Sequence, residues 1–460
     1  MSILIKNGRI ITAADDYSAD IFIEGETISA IGKNLHDDAD TIINAEGKLI
    51  FPGGIDPHVH LEMPFMGAFS SDNYETGTLA ALHGGTTSVI DYVIQKQGKP
   101  MFAALEEWHG RAKDNCFCDY GFHMAVTDFN ETTKQEIKDL IEKEGISSFK
   151  TFMAYKGSLM IDDRQMVGLM EEIKKYNGLV AVHATNGDMI DYLVAKNKAA
   201  GNTSPLFHYL SQPEITESEA SGRFTDMAYQ TGANAYIVHM TSRDALNKVR
   251  MAGHRNQKVF AETCVQYLIL DASVYNRGFE SAKWVMSPPI RELKDQNALW
   301  AGINQGLIQV VATDHCPFMW IDKCKGENDF TKIPNGAPGI EHRVELMFSE
   351  GVEKGKISLN KFVEITSTSA AKIFGMFPKK GTLAVNSDAD ILIFDPLEKH
   401  TLSAKTHHHH CDYSAYEGLD VTGKVKTVIL RGNIAIDNGN VKINKGYGRF
   451  MKRSASPNVL

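Results

Sequence analysis

At 460 residues, 43% hydrophobic and 23% charged, the chain carries enough apolar material for one large core and a smaller appendage. Its 48 basic residues face 57 acidic ones, a net charge of −9, and no basic run tracks a phosphate backbone, which argues against a nucleic-acid partner. Six cysteines, at 116, 118, 264, 316, 324 and 411, are too sparse for a secreted disulfide framework and fit a reducing, cytoplasmic setting.

The first twenty residues alternate apolar and polar side chains without a signal-peptide core, and no later stretch is apolar enough to span a bilayer, so no membrane partner is expected. Short strands are predicted at 3–5, 19–24, 27–31 and 41–44, punctuated by Asn7-Gly8 and Glu46-Gly47. The same pattern returns at 390–394, 425–431 and 433–436, so the two chain ends should co-fold into one small β-sandwich.

Between them, eight runs rich in β-formers alternate with amphipathic segments: 49–56, 87–92, 120–126, 147–152, 179–183, 235–239, 259–262 and 308–313. Helices are predicted at 74–82, 101–113, 132–144, 163–176, 217–230, 242–251 and 295–306. Eight such units close a (β/α)8 TIM-like barrel of class α/β. The expected organisation is 1–51 as the first part of the β-sandwich, 52–375 as the barrel, 376–444 as the second part and 445–460 as a C-terminal tail.

Catalytic groups of such barrels sit at the C-terminal ends of the strands, and five of the eight runs lead into a metal-ligating or titratable residue there. The first leads to His58 and His60, two residues apart and therefore on one face of an extended strand, where both can chelate one ion. The fourth, SSFKTFMAY, sets Lys150 in an apolar strand, where a bare ammonium is costly. Taken alone, Lys150 reads as a salt-bridged or snorkelling lysine; the sharper reading is a carbamate formed with carbon dioxide, an anionic bridging ligand. The fifth, sixth and eighth runs lead to His183, His239 and Asp314. Each singly could be a hydrogen-bonded core residue. Together, four histidines, a lysine and an aspartate suit zinc, with manganese, iron or cobalt as alternatives. Six protein ligands exceed the need of one open tetrahedral site and point to two divalent ions sharing the carbamate and a hydroxide.

Across nearly its whole length the chain resembles the cyclic amidohydrolases, and within them the dihydropyrimidinase and D-hydantoinase family, through FPGGIDPHVH, GGTT, SSFKTFMAYKG, VHATNGDMIDY, YIVHMTS, AETCVQYL, MSPPIRE, ATDHCPF, TKIPNGAPGIE and KKGTLAVNSDADI. The resemblance maps His58, His60, Lys150, His183, His239 and Asp314 onto the family's metal ligands, with Lys150 as N6-carboxylysine. It also implies that Tyr155 donates its hydroxyl to the developing oxyanion and that main-chain groups of Ser287 and Asn335 hold the ring's imide edge. Without the resemblance, Ser287 and Asn335 read as turn residues beside Pro288 and Gly336. A homotetramer is likewise implied.

The expected reaction is attack of metal-activated hydroxide on the ring carbonyl of a hydantoin or dihydropyrimidine, with Asp314 passing the proton to the leaving nitrogen and an N-carbamoyl amino acid as product. Dihydroorotase-like relatives place an arginine soon after the HxH pair, whereas here Leu61-Glu62-Met63 follows, which disfavours an acidic ring. The loops 63–69 and 152–160 supply apolar side chains for a ring substituent. An allantoinase-like activity is the enzymatic alternative, and a non-catalytic scaffold relative the alternative from another class. Two features are set aside: the tract His407 to His410, placed in the small domain far from the barrel rim and read as compositional, and Cys316, read as a packed thiol rather than a nucleophile.

Overall fold

In the computed structural model, which describes residues 2–36 and 38–455, eight parallel strands form one sheet in unbroken chain order. They are Gly54–Val59, Thr86–Ile94, Asp119–Ala125, Ser148–Phe152, Leu179–His183, Asn234–Ile237, Val259–Cys264 and Val310–Ala312. Every residue of the third, fourth, fifth and seventh strands is buried. Helices outside and packed side chains inside leave no polar face, which is why these segments read as continuous apolar runs.

Strand eight meets strand one through a parallel bridge between Val59 and His315 and a bond from His60 N–H to the His315 carbonyl (2.8 Å), which closes the barrel. Ladder bonding at this seam is sparse, and buried side chains supplement it. Thr313 Oγ1 donates to Asp56 (2.6 Å), tying the ends of strands eight and one. The fully buried Arg343 donates from Nη1 to the carbonyls of Ile55 and Val311 (3.0 and 2.9 Å) and from Nη2 to Thr86 Oγ1 (3.1 Å).

The helices fall within a few residues of their predicted positions, at Tyr74–His83, Met101–Ala112, Glu131–Glu142, Asp163–Lys174, Glu214–Thr231, Arg243–Gly253 and Leu293–Asn304. Asn73, Asn130 and Asp162 each begin their helix with a reciprocal capping box. Three features differ from expectation. The run at 49–56 is two strands: Leu49–Pro52 pairs in the small sheet, and after Gly53 the chain enters the barrel at Gly54. Helix Gly187–Ala199 was not anticipated, because among its residues only Gly187 is buried and no apolar stripe marks it. Between Arg343 and Ile373 the chain is helical in short pieces, most of them largely buried, hydrophobic on too many sides for a clean 3.6-residue period.

Both chain ends build one nine-stranded mixed sheet, with Ser2–Ile11, Asp16–Glu24, Thr27–Gly32, Thr41–Asn44 and Leu49–Pro52 from the front and Ile391–Thr401, Asp420–Leu430, Asn433–Asp437 and Asn440–Val441 from the back. The sheet rolls onto itself: its edge strand Thr27–Gly32 bridges antiparallel from Thr27 to Asp388, just ahead of Ile391–Thr401. Ile3, Ile21, Ile28, Ile391 and Ile429 fill a core of their own inside the roll. The tail is tied to the barrel as far as it is described, with Phe450 bridging Tyr120 and the buried Arg453 donating to the Phe122 carbonyl; residues 456–460 of the expected tail lie outside the described residues. No helix among the described residues is long and apolar enough to cross a membrane.

Candidate active site

The barrel places all nine residues singled out from the sequence around one cavity of about 60 Å³: His58, His60, Lys150, Tyr155, His183, His239, Ser287, Asp314 and Asn335. Lys150 and His183 lie within their strands, His58 near the end of the first, His60 just beyond it, and His239 and Asp314 two residues past the sixth and eighth. This is the rim expected of strand C-termini. Tyr155, His239 and Asp314 adopt left-handed backbone conformations, φ 65°, 37° and 50°. Such strain costs roughly 1–3 kcal/mol per residue and persists where the surrounding packing fixes a functional side chain.

Asp314 Oδ1 lies 3.0 Å from His60 Nε2 and 3.2 Å from His58 Nε2. Burial works to raise the Asp314 carboxyl, but the charge and hydrogen bonds of His58 and His60 hold it well below the usual range. His183 Nδ1 and His239 Nε2 are 2.8 Å apart, forming a second pair. Burial lowers both, His183 to about 3 with help from the Lys150 charge. His60 is likewise lowered by burial, to about 4. His58 goes the other way: burial opposes its charge, yet Glu262 and Asp314 push it up to about 9.

Lys150 is 1% exposed, and among the described residues no carboxylate lies within ion-pair distance of it. Its Nζ sits over the Tyr92 and Phe152 rings, 4.7 and 5.2 Å from their centroids, and burial pulls it down to about 8. These donors fit metal ions. Buried His60 Nδ1 and His239 Nδ1 lack hydrogen-bond partners, and donor atoms of His58, His60 and Asp314 lie within 4.8 Å of one another. The histidine and aspartate groupings are compatible with a binuclear metal site.

Residues not singled out from the sequence complete the arrangement. Glu262, fully buried in the seventh strand, accepts from His58 Nδ1 (2.6 Å) and so turns Nε2 to the cavity; it also accepts from the Tyr236 hydroxyl (2.9 Å) and the His239 N–H (3.1 Å). Its signal was available, since it closes its run as His183 and His239 close theirs. Cys316 lines the cavity wall, but burial and the Asp314 charge push its thiol well above the ordinary range, so it stays protonated and unreactive.

Ser287 and Asn335 face each other, with Asn335 Nδ2 donating to Ser287 Oγ (3.1 Å). Beside them Gly336, at φ 145°, approaches so closely that a Cβ would lie 2.2 Å from the Cys316 carbonyl. The buried Lys323 ties the two segments together by donating from Nζ to the carbonyls of Val285 (3.0 Å), Pro334 (2.7 Å) and Gly336 (2.7 Å). Burial draws Lys323 down to about 7, against three carbonyl dipoles that favour its ammonium. Lys323→Met is expected to loosen both segments, raising KM about tenfold, the equivalent of one hydrogen-bonded contact at roughly 1.4 kcal/mol, while kcat falls less. Steady-state kinetics read this directly, and an unchanged KM would remove the positioning role.

The small cavity opens into a cleft of about 580 Å³. Its walls include Phe65 and Met66 from one predicted loop, Leu159 from the other, and Ile190 and Val194 from the unanticipated helix. An apolar cleft above a charged floor suits a compact polar ring carrying an apolar substituent.

The chain belongs to the amidohydrolase family, whose model matches residues 49–435. More narrowly, it is 45% identical over 456 residues to a D-hydantoinase of Geobacillus stearothermophilus, covering 99% of this chain and 97% of that one. A dihydropyrimidinase of Rattus norvegicus is 39% identical over 461 residues, covering 98% of this chain and 88% of that one. The crystal structure of a dihydropyrimidinase from Brevibacillus agri superposes with a TM-score of 0.98 at 46% identity, covering 99% of each chain.

Proposed function

We propose that this chain opens the cyclic amide bond of hydantoins and 5,6-dihydropyrimidines to give N-carbamoyl amino acids, as the names of its relatives suggest. The observation that carries the reading is the convergence of all nine side chains on one small cavity beneath an apolar cleft. His58, His60, Lys150, His183, His239 and Asp314 would hold two divalent ions, with zinc favoured by the nitrogen-rich donor set and manganese, iron or cobalt as alternatives. Bound there, the pair would supply a hydroxide near neutral pH and polarise the ring carbonyl.

Lys150 joins the set as N6-carboxylysine. Its neutral amine attacks carbon dioxide, a nitrogen–carbon bond forms as one carbon–oxygen π pair moves to oxygen, and the displaced amine proton leaves to solvent. Burial, which disfavours the ammonium, favours the neutral amine this step needs. Asp314 takes the proton of the attacking hydroxide and hands it to the ring nitrogen as the carbon–nitrogen bond breaks. Tyr155 donates its hydroxyl to the carbonyl oxygen as charge develops there; burial raises that hydroxyl to about 12, so it remains a donor. Main-chain groups of Ser287 and Asn335 hold the imide edge. The assembly proposed is a homotetramer, on the resemblance alone, and the proposed setting is cytoplasmic, which the six free cysteines suit.

Turnover of a 5-substituted hydantoin, dihydrouracil and allantoin should be compared on metal-replete protein. Ring opening of the first two, at least about tenfold faster in kcat/KM than of allantoin, is expected. Preference for allantoin would replace the reading with its ureide alternative, and no turnover at all would leave a scaffold.

A further inference from the structure

The tract His407 to His410 does not lie apart from the barrel as the sequence order implied. It belongs to the loop between Ile391–Thr401 and Asp420–Leu430, folded against the segment that follows strand eight, where Glu341 Oε1 lies 2.8 Å from His408 Nδ1, and against the loop after strand one, where the His410 N–H donates to Asp72 (2.9 Å). Donor atoms of His342, His407 and His409 come within 4.8 Å of one another. We propose that these three histidines form a second metal site, distinct from the catalytic cavity, that takes one divalent transition cation of the zinc class.

The hydrogen-bond pattern fixes how the site is poised. His407 Nε2 donates to the Cys411 carbonyl (2.9 Å), so its Nδ1 bears a free lone pair. That lone pair faces His409 Nδ1 at 3.1 Å, while His409 Nε2 accepts the Glu341 N–H (3.1 Å). One hydrogen therefore sits between the two Nδ1 atoms, carried by His409, and an entering ion takes its place as that hydrogen shifts to His409 Nε2 and the ring turns away from the Glu341 N–H, so that all three histidines bind as neutral rings. The third member is the independent sign of a ligand: His342 is 5% exposed, and its buried Nε2 has no hydrogen-bond partner. A native fold rarely leaves such an atom unmet.

Three imidazoles leave a fourth position for water. A cavity of about 220 Å³ touching His342, and lined also by His83, His400, His408, Glu341 and Glu345, gives ion and water a route inward. The site would clamp the 402–419 loop to the segment behind the catalytic rim. His315, whose Nδ1 accepts the Gly339 N–H (3.1 Å), has its ring centroid 5.1 Å from that of His409 and follows Asp314 in the chain. The ion is thus structural, outside the reaction itself.

The test uses full-length protein with its catalytic metals loaded and Zn2+ as the probe. After equilibrium dialysis, wild type is expected to retain one zinc per chain more than His407→Gln. Crystals grown with Zn2+, measured at the zinc absorption edge, should show an anomalous peak among His342, His407 and His409. Should the variant fail to fold, that map on wild type decides alone. Equal zinc content in both proteins, or peaks in the catalytic cavity with none at the three histidines, overturns the proposal without touching the catalytic reading, whose ions are counted separately.

Discussion

Asp314→Asn is expected to lower kcat by about 10³-fold or more, within the range that removal of a positioned general acid–base group produces. The substitution keeps the side-chain shape and removes the negative charge and the proton-accepting oxygen. Asp314 Oδ1 stands 3.0 and 3.2 Å from His60 and His58, so the same carboxylate serves as ligand and as proton carrier in the proposed reaction. Those two duties predict different losses. As ligand, Asp314 shares its ion with His58 and His60, which remain, and metal content should fall by less than half. As proton carrier it has no substitute: among the described residues that line the cavity there is no second carboxylate. Turnover should therefore collapse further than metal binding does, a split read by measuring kcat and metal per chain on one preparation. A variant within about tenfold of wild type in kcat would take the proton-transfer role away from Asp314.

The catalytic half of this arrangement was legible before any coordinates because a parallel barrel advertises itself: strands buried on both faces become apolar runs, and a polar side chain closing such a run is conspicuous. His183, His239 and Asp314 each stand out on this ground, although singly any of them could be a hydrogen-bonded core residue. Lys150 did not stand out, since a buried lysine in a strand has two readings and only the company of the other ligands favours one. Glu262 closes a run in the same way yet was passed over, because no nearby residue in sequence reveals that it holds His58, 204 positions away. Lys323 is legible only in space, where it gathers three carbonyls from two separate segments. The histidine tract misled for the opposite reason. Sequence order put it in the small domain, far from the barrel rim, whereas the 402–419 loop packs His409 against His342 and His315. Periodicity failed where burial was all or nothing, as in the exposed helix Gly187–Ala199 and the engulfed helical pieces after Arg343.

Lys150→Met is expected to act in opposite directions on stability and on catalysis. In chelated protein without carbon dioxide, Lys150 is an ammonium or amine, 1% exposed, with its Nζ over two aromatic rings. Cation–π contact returns roughly 0.5–2 kcal/mol, less than the several kcal/mol that burying an unpaired charge costs. Methionine fills a similar volume without that cost, so the chelated variant should be more stable than chelated wild type by about 2 kcal/mol in denaturant unfolding. With metal and bicarbonate supplied the order reverses. Carboxylation would convert the wild-type side chain into an anionic ligand, and metal binding would then stabilise the fold by linkage. The variant has no nitrogen to carboxylate, so it should lose most of its metal, show no stabilisation on metal addition, and retain less than about 10⁻³ of wild-type turnover. A carbamate carbon signal after 13C-bicarbonate loading should appear in wild type and vanish in the variant. If instead the chelated variant is the less stable of the two and still binds its metals, Lys150 is a structural cation, and the cage must be completed by some other group.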